Sequence, residues 1–187
     1  MNQPPVPMVG FCAWSGTGKT TLLTQLLPLM VEQGLKVAVV KHAHHTFDID
    51  HPGKDSYELR EAGASQMLIA SHKRMALITE FDEGRGEPSL AEALSGLNMQ
   101  DLDLILVEGF KHENFKKIEL HRPEMNKTLF FPDDSNIIAI ASDAPIPENR
   151  NLLPKLNLNN PQQIVQFILD NIIADTPAVA ASGTLQP

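Results

Sequence analysis

The residues whose types and spacing could do chemistry are concentrated in Ala13-Trp-Ser-Gly-Thr-Gly-Lys-Thr-Thr21, entered from the apolar run Met8-Val-Gly-Phe-Cys12 and left through Leu22-Leu23. Apart from Ala13, where the usual pattern has glycine, this is the phosphate-binding loop that ends Gly-Lys-Ser/Thr between a strand and a helix. Gly16 and Gly18 let the backbone close around a phosphate, so that the N–H groups from Ser15 through Thr17 to Thr21 converge on it at a helix N-terminus. Lys19 then sets a point positive charge on the outer phosphates, and the Thr20 hydroxyl is a Mg²⁺ ligand. A glycine-rich turn that merely joins strand to helix is the bland alternative, and the Lys-Thr pair after the glycines argues against it. Trp14 stands where some dimeric ATPases carry an extra lysine, so that class is a poor match.

A second chemical signal is Leu102-Asp-Leu-Ile-Leu-Val-Glu-Gly-Phe-Lys111. Glu108 ends an apolar strand, where a carboxylate either binds Mg²⁺ through a water or orients an attacking water. Asp103, at the strand's start, is too far away, and Gly109 lets the backbone pass close to the γ-phosphate. A third is Ile138-Ala-Ile-Ala-Ser-Asp143, an acidic residue just past a late strand, where guanine-selective proteins keep an aspartate for the base. The usual Asn-Lys-x-Asp spelling is missing, so Ser142 and Asp143 stand as base readers against simple loop solvation. Lys41-His-Ala-His-His45 through Asp55 holds four of the seven histidines at the end of another strand. Lys41, His42, Lys54 and Asp55 are candidate contacts to a nucleotide or a pterin phosphate, with solvated hinge residues as the alternative.

These signals need elements to position them. Pro7 to Ala13 reads as a strand buried on both faces, and Leu22, Leu23, Leu26, Leu27, Met30 and Val31 as the apolar face of a helix that Gly34 ends. Pro28 interrupts that helix and predicts a kink near Thr24 to Leu27 in one helix, not two. Lys36 to Val40 is a second strand, giving a right-handed parallel crossover. Further expectations are a helix at Ser56–Ala62 and a hairpin of Ser65–Ser71 and Met75–Glu80 that extends the sheet or projects from it. Then follow a mobile loop over Asp82–Ser89, a helix at Leu90–Leu97, and strands at Lys117–His121 and Ile137–Ala141. A last helix has Asn160 as cap, Pro161 first and Gln163 in the capping-box place. The fold class is α/β: a P-loop NTPase-like three-layer sandwich with a mainly parallel sheet and a β-hairpin extension. Residues 1–6 read as a flexible leader, 7–173 as one nucleotide-binding domain and 174–187 as a disordered tail.

The 187 residues, 42% hydrophobic and 20% charged, suit a single ordinary globular domain. A net charge of −8 argues against general nucleic-acid binding, and Lys111, Lys116 and Lys117 read as a solvated loop cluster. No apolar segment approaches a bilayer-spanning length and Met1-Asn-Gln-Pro-Pro5 lacks a signal peptide's pattern, so the expectation is a cytoplasmic protein off the membrane. The single Cys12 excludes internal disulfides and a cysteine-built zinc site.

The phosphate loop together with Lys41-His-x-His-His, Asp48-x-Asp50, Pro52-Gly-Lys-Asp-Ser-Tyr-Glu-Leu-Arg60, Ala62-Gly-Ala, Val107-Glu-Gly-Phe-Lys-His112 and Ala141-Ser-Asp143 closely resembles the molybdopterin-guanine dinucleotide biosynthesis adapter proteins, MobB, over roughly residues 7–173. The resemblance implies a dimeric GTP-binding protein with weak GTPase activity. Its implied role is to assist GMP attachment to molybdopterin with the guanylyltransferase and the molybdenum-insertion protein. It also implies Ser15–Thr21 as phosphate binders and Thr20 with Glu108 as the Mg²⁺ pair. Slow hydrolysis also follows from the residues, since no glutamine follows the Glu108 strand and no arginine is obviously placed in cis. Arg60 is the nearest candidate. Two other classes stay open. A small-molecule kinase would use Arg85 on a lid, and a metallochaperone would use His42, His44, His45 and His51.

Overall fold

The structure, a computed structural model, describes residues 5–43, 47–82, 84–146 and 153–174. In chain order its elements are β1 (Met8–Cys12), α1 (Lys19–Glu32), β2 (Val37–Lys41), α2 (Asp55–Glu61), β3 (Gln66–Ala70), β4 (Met75–Thr79), α3 (Leu90–Ser95), β5 (Leu104–Glu108), β6 (Lys117–His121), β7 (Ile137–Ser142), β8 (Lys155–Asn157) and α4 (Pro161–Ile168), which runs on into a π-helical stretch, Leu169–Ile173. They fall into two compact units: one holds the residues up to His42 and those from Ser89 onward, the other Ala43–Pro88.

The first unit is a six-stranded sheet in the order β2-β5-β1-β6-β7-β8, with every neighbouring pair parallel. β1 and most of β5 are apolar because both faces are covered, whereas β6, also internal, alternates buried Lys117, Glu119 and His121 with Ile118 and Leu120. On β5, Leu104 and Leu106 face one side while Ile105 and Val107 face the other, and all four are fully buried. One core is formed with α1 and α4, through Leu22, Leu26, Met30, Ile164 and Ile168 against Val9, Phe11, Ile118 and Leu120. The opposite core is formed with α3, through Leu90 and Leu94 against Val40, Ile105 and Val107. The result is the three-layer sandwich expected from the sequence.

α1 runs as one helix with Pro28 inside it. It stops where Gly34 takes φ +83°, which lets the Gly34 N–H donate to the Val31 carbonyl and the Leu35 N–H to the Met30 carbonyl. This reciprocal pair closes the last turn as a Schellman motif. At the start of α4, Asn160 Oδ1 accepts from the Gln163 N–H at 3.1 Å. The reciprocal half of the expected capping box is absent: Gln163 Oε1 accepts from the Asn157 N–H at 2.7 Å. The reason is β8, a strand not foreseen from the sequence, whose last residue sits three positions before the cap and leaves its N–H within reach.

A second correction concerns the loop lysines. Lys116 is exposed, but Lys117 is 2% exposed and donates from Nζ to Asp134 Oδ2 and to the Lys111 carbonyl, both at 2.8 Å. Its position on β6, between β1 and β7, buries it, so the cluster is not a solvated basic patch.

The second unit contains α2 and the antiparallel pair β3–β4, closed by a turn in which the Ser71 N–H donates to the Arg74 carbonyl and Ser71 Oγ accepts from the N–H groups of Lys73 and Arg74. The pair is a two-stranded sheet of its own and shares no ladder with the main sheet. Inside this unit Arg60 is buried and bonded to Asp50, Glu80 and, at 3.5 Å, Asp48. That hydrogen bond from Arg60 and its charge hold the Asp50 carboxyl below the ordinary aspartate value.

Candidate functional site

Because β1 sits between β5 and β6, the loop that leaves it emerges at the carboxyl edge with neighbours on both sides. The loop takes the form that its glycines permit, with φ +83° at Gly16 and +100° at Gly18. Thr17 is buried and locks the bend, its N–H and Oγ1 both donating to the Trp14 carbonyl at 3.3 and 2.8 Å. Ser15, Thr20 and Thr21 are exposed and Lys19 is half-buried.

The start of α1 is electrostatically open. Gly18 stands at the cap position, no side chain caps the helix, and its first turn has no acidic residue. Among the described residues the backbone N–H groups of Gly18, Lys19 and Thr20 have no acceptor in the chain, and the Lys19 ammonium has no partner. Helix starts normally carry a Ser, Thr, Asp or Asn cap, and an uncapped one with a lysine beside it presents several donors and the positive end of the helix dipole to an anion.

Across β1, Glu108 lies opposite Phe11 in the ladder and opposite Lys41 of β2. Its side chain is 15% exposed, and Lys41 Nζ is 3.8 Å from Oε2. The carboxylate is therefore at the sheet edge beside the strand that feeds the phosphate loop, as expected. Asp103 is at the other end of β5, where Oδ2 accepts from the Lys36 N–H at 2.8 Å. Gly109, expected to make room for a phosphate, makes room for His42. Its φ is +93°, and a Cβ there would stand 2.6 Å from His42 Cβ. His42 donates its N–H to the Glu108 carbonyl at 2.8 Å and stacks on Phe110 with ring centroids 4.7 Å apart. Gly109→Ala is accordingly expected to lower stability by roughly 1–2 kcal/mol, from the left-handed backbone and the contact together, as measured by urea unfolding.

Of the other candidates, Lys54 precedes α2 and Asp55 opens it, with Asp55 Oδ1 accepting from the Ser56 N–H. Both belong to the second unit. His51 is exposed, and His44 and His45 lie outside the described residues. No cluster of three His, Cys, Asp or Glu side chains placed for a metal ion occurs among the described residues. Arg60, the arginine singled out for a role in cis, is committed to its own carboxylates.

The structure brings other residues to the phosphate loop that sequence reasoning missed. β6 ends at His121, paired with Ser142 of β7, so Arg122 and Asp143 follow side by side. Arg122 Nη1 donates to Asp143 Oδ2 and Nε to the Thr17 carbonyl at 2.8 Å. Burial lowers the pKa of His121, with the Asp143 charge opposing. Trp14 stacks on Phe130, with centroids 4.9 Å apart, and donates from Nε1 to the Thr128 carbonyl at 2.8 Å. Glu119 of β6 is fully buried and accepts from the N–H groups of Phe130 and Phe131; burial raises its pKa against those two bonds. The Cys12 thiol is pushed up to about 12, by burial first and then by Glu119, and is inert packing. No periodicity announces Arg122. The only available cue was an arginine one residue beyond a strand adjacent to β1.

Comparison with known proteins extends this picture. The family model described as molybdopterin guanine dinucleotide synthesis protein B matches residues 8–143. A molybdopterin-guanine dinucleotide biosynthesis adapter protein of Escherichia coli (strain K12) is 44% identical over 171 residues, covering 88% of this chain and 93% of that protein. One of the same description from Haemophilus influenzae is 40% identical, covering 87% and 88%. Among solved structures, that of Bacillus subtilis MobB superposes with a TM-score of 0.67 at 26% identity, covering 89% of this chain and 98% of that one.

Proposed function

The chain belongs to the molybdopterin guanine dinucleotide synthesis protein B family, and on that premise we propose that it works as an adapter in making molybdopterin-guanine dinucleotide, binding GTP with Mg²⁺ and hydrolysing it weakly. The observation that carries the nucleotide part is the uncapped, acid-free start of α1 beside the ammonium of Lys19, which has no partner among the described residues. Within Ser15–Thr21 the open amides of Gly18, Lys19 and Thr20 are the foremost phosphate donors, and Lys19 takes the outermost charge. Thr20 and Glu108 offer one hydroxyl and one carboxylate, hard oxygen donors that suit Mg²⁺, which when bound would neutralise charge between the outer phosphates. Ser142 and Asp143 read the base, Asp143 accepting from the two N–H donors of a guanine edge. Lys41 and His42, beside Glu108, contact nucleotide or the pterin's phosphate.

Weak hydrolysis fits the residues in place. The peptide after Glu108 is Gly109-Phe110-Lys111, with no glutamine to orient water, Arg60 already serves Asp50 and Glu80, and Arg122 at the phosphate loop serves Asp143 and the Thr17 carbonyl. Nucleotide state then acts as a signal for partners, not as a source of turnover. The partners in this reading are the guanylyltransferase, the molybdenum-insertion protein and a second copy of the chain, in the cytoplasm. No described helix is long and apolar enough to cross a membrane. Calorimetric titration with GTP, ATP and molybdopterin, each with and without Mg²⁺, tests the proposal. The expected result is Mg²⁺-dependent binding with GTP preferred, and equal affinities for GTP and ATP would remove the guanine assignment.

A further inference from the structure

Guanine recognition elsewhere rests on an Asn-Lys pair two residues before the aspartate, and here Ala141 and Ser142 precede Asp143 directly, with Ile140 and Ala139 before them. The sequence that should fix the base-reading carboxylate is missing. The structure fills that gap from another strand. The ladder pairs His121 with Ser142, so the next residues, Arg122 and Asp143, leave adjacent strands at the same level. The Arg122 guanidinium lies between them and the phosphate loop: Nη1 donates to Asp143 Oδ2, Nε donates to the Thr17 carbonyl, and Nη2 comes within 3.6 Å of where a Cβ on Gly18 would stand. The following turn, Pro123–Met125, touches the same loop, since Thr17 Oγ1 points to Met125 Sδ at 3.7 Å. The Arg122 and Asp143 side chains are 29% and 16% exposed, so the pair is shielded yet reachable.

We infer that Arg122 is a positioning residue that joins base recognition to the phosphate grip, holding the Asp143 carboxylate and the Thr17 peptide as one piece. This rests on the reading of Asp143 as the base reader. The planar fork matters: one guanidinium satisfies a carboxylate and a carbonyl in fixed relative directions, which a single ammonium on a flexible stem cannot. With the fork in place, Arg122 takes one lone pair of Asp143 Oδ2, and the remaining lone pairs of the carboxylate stay open for the two N–H donors of the base. The spacing between base site and phosphate site is then set before a nucleotide arrives.

The test compares affinities for GTP and ATP, measured by calorimetry with Mg²⁺, in the wild type, Arg122→Ala, Arg122→Lys, Asp143→Ala and the Arg122→Ala/Asp143→Ala double variant. Arg122→Gln and thermal melts followed by circular dichroism are included so that a folding defect in the alanine variant does not decide the matter. The wild type is expected to prefer GTP, and Arg122→Ala to lose about five- to tenfold of that preference, the size of one ordinary hydrogen bond. Arg122→Lys and Arg122→Gln should restore part of it. In the Asp143→Ala background, removing Arg122 should change the preference no further, which a merely structural arginine would not produce. A wild type that prefers GTP beside folded Arg122 variants with undiminished preference overturns the inference and leaves Asp143 standing. A wild type without preference removes the base reading, and Arg122's role with it.

Discussion

Lys19→Ala is expected to weaken GTP binding on the order of 100-fold, about 3 kcal/mol, the upper range for a charged hydrogen bond left unmade. Melting in the absence of nucleotide should be unchanged. Both halves follow from the same observation. The ammonium has no partner among the described residues, so the empty chain loses no ion pair when it is removed. The open amides at the start of α1 remain, so some phosphate binding survives. Titration with GTP and GDP separates the terms. Lys19 is assigned to the outer phosphates, so its removal should cost more affinity for the triphosphate than for the diphosphate. An equal loss for both would place the ammonium elsewhere.

Lys117→Ala should have the larger effect on stability, a loss of about 3–5 kcal/mol, because breaking a buried ion pair leaves its partner unpaired. Nζ serves both Asp134 and the Lys111 carbonyl and lies 5.1 Å from the Phe115 ring centroid. Replacing the pair by Lys117→Met with Asp134→Asn should recover part of the loss. The pH dependence carries a separate signature. Burial pushes the Asp134 carboxyl up, but the Lys117 hydrogen bond and charge and the Asn136 donors together outweigh it and hold its pKa below the ordinary value. A lowered folded value means that its stabilisation is present above the unfolded value of about 3.9 and is lost as pH falls through the folded one. Glu119 is shifted the other way, so it favours the folded state as pH drops from its raised value toward about 4.3. Because Glu119 is present in both proteins, the difference between wild type and Lys117→Ala across acid pH isolates Asp134. Urea unfolding at a series of pH values should show that difference shrinking as pH falls below about 4.

Most of the framework was legible because it rests on local patterns. An unbroken apolar run marked β5, helical spacing marked α1 and α4, and Gly34 marked a stop that the structure closes with two reciprocal bonds. What was not legible depended on which strand lies beside which. Arg122 gains meaning only because β6 adjoins β1, which puts its guanidinium on a carbonyl 105 residues away in sequence. Lys117 looked like one of three loop lysines until the sheet order placed it between two strands. Gly109 read as clearance for a ligand and is clearance for His42, because β2 turned out to be the strand next to β5. β8, three residues long, has too little pattern to stand out.

Trp14 is the sole indole of the chain, and it is carried on the phosphate loop itself. Its ring is clamped by Phe130, by the Thr128 carbonyl and by Lys127 Nζ at 5.5 Å, yet remains 38% exposed. Any rearrangement of the loop must alter the surroundings of a single fluorophore with no background from a second one. Excited at the red edge of its absorption, the unlabelled protein is thus its own optical sensor, and stopped-flow emission can time the arrival of each ligand.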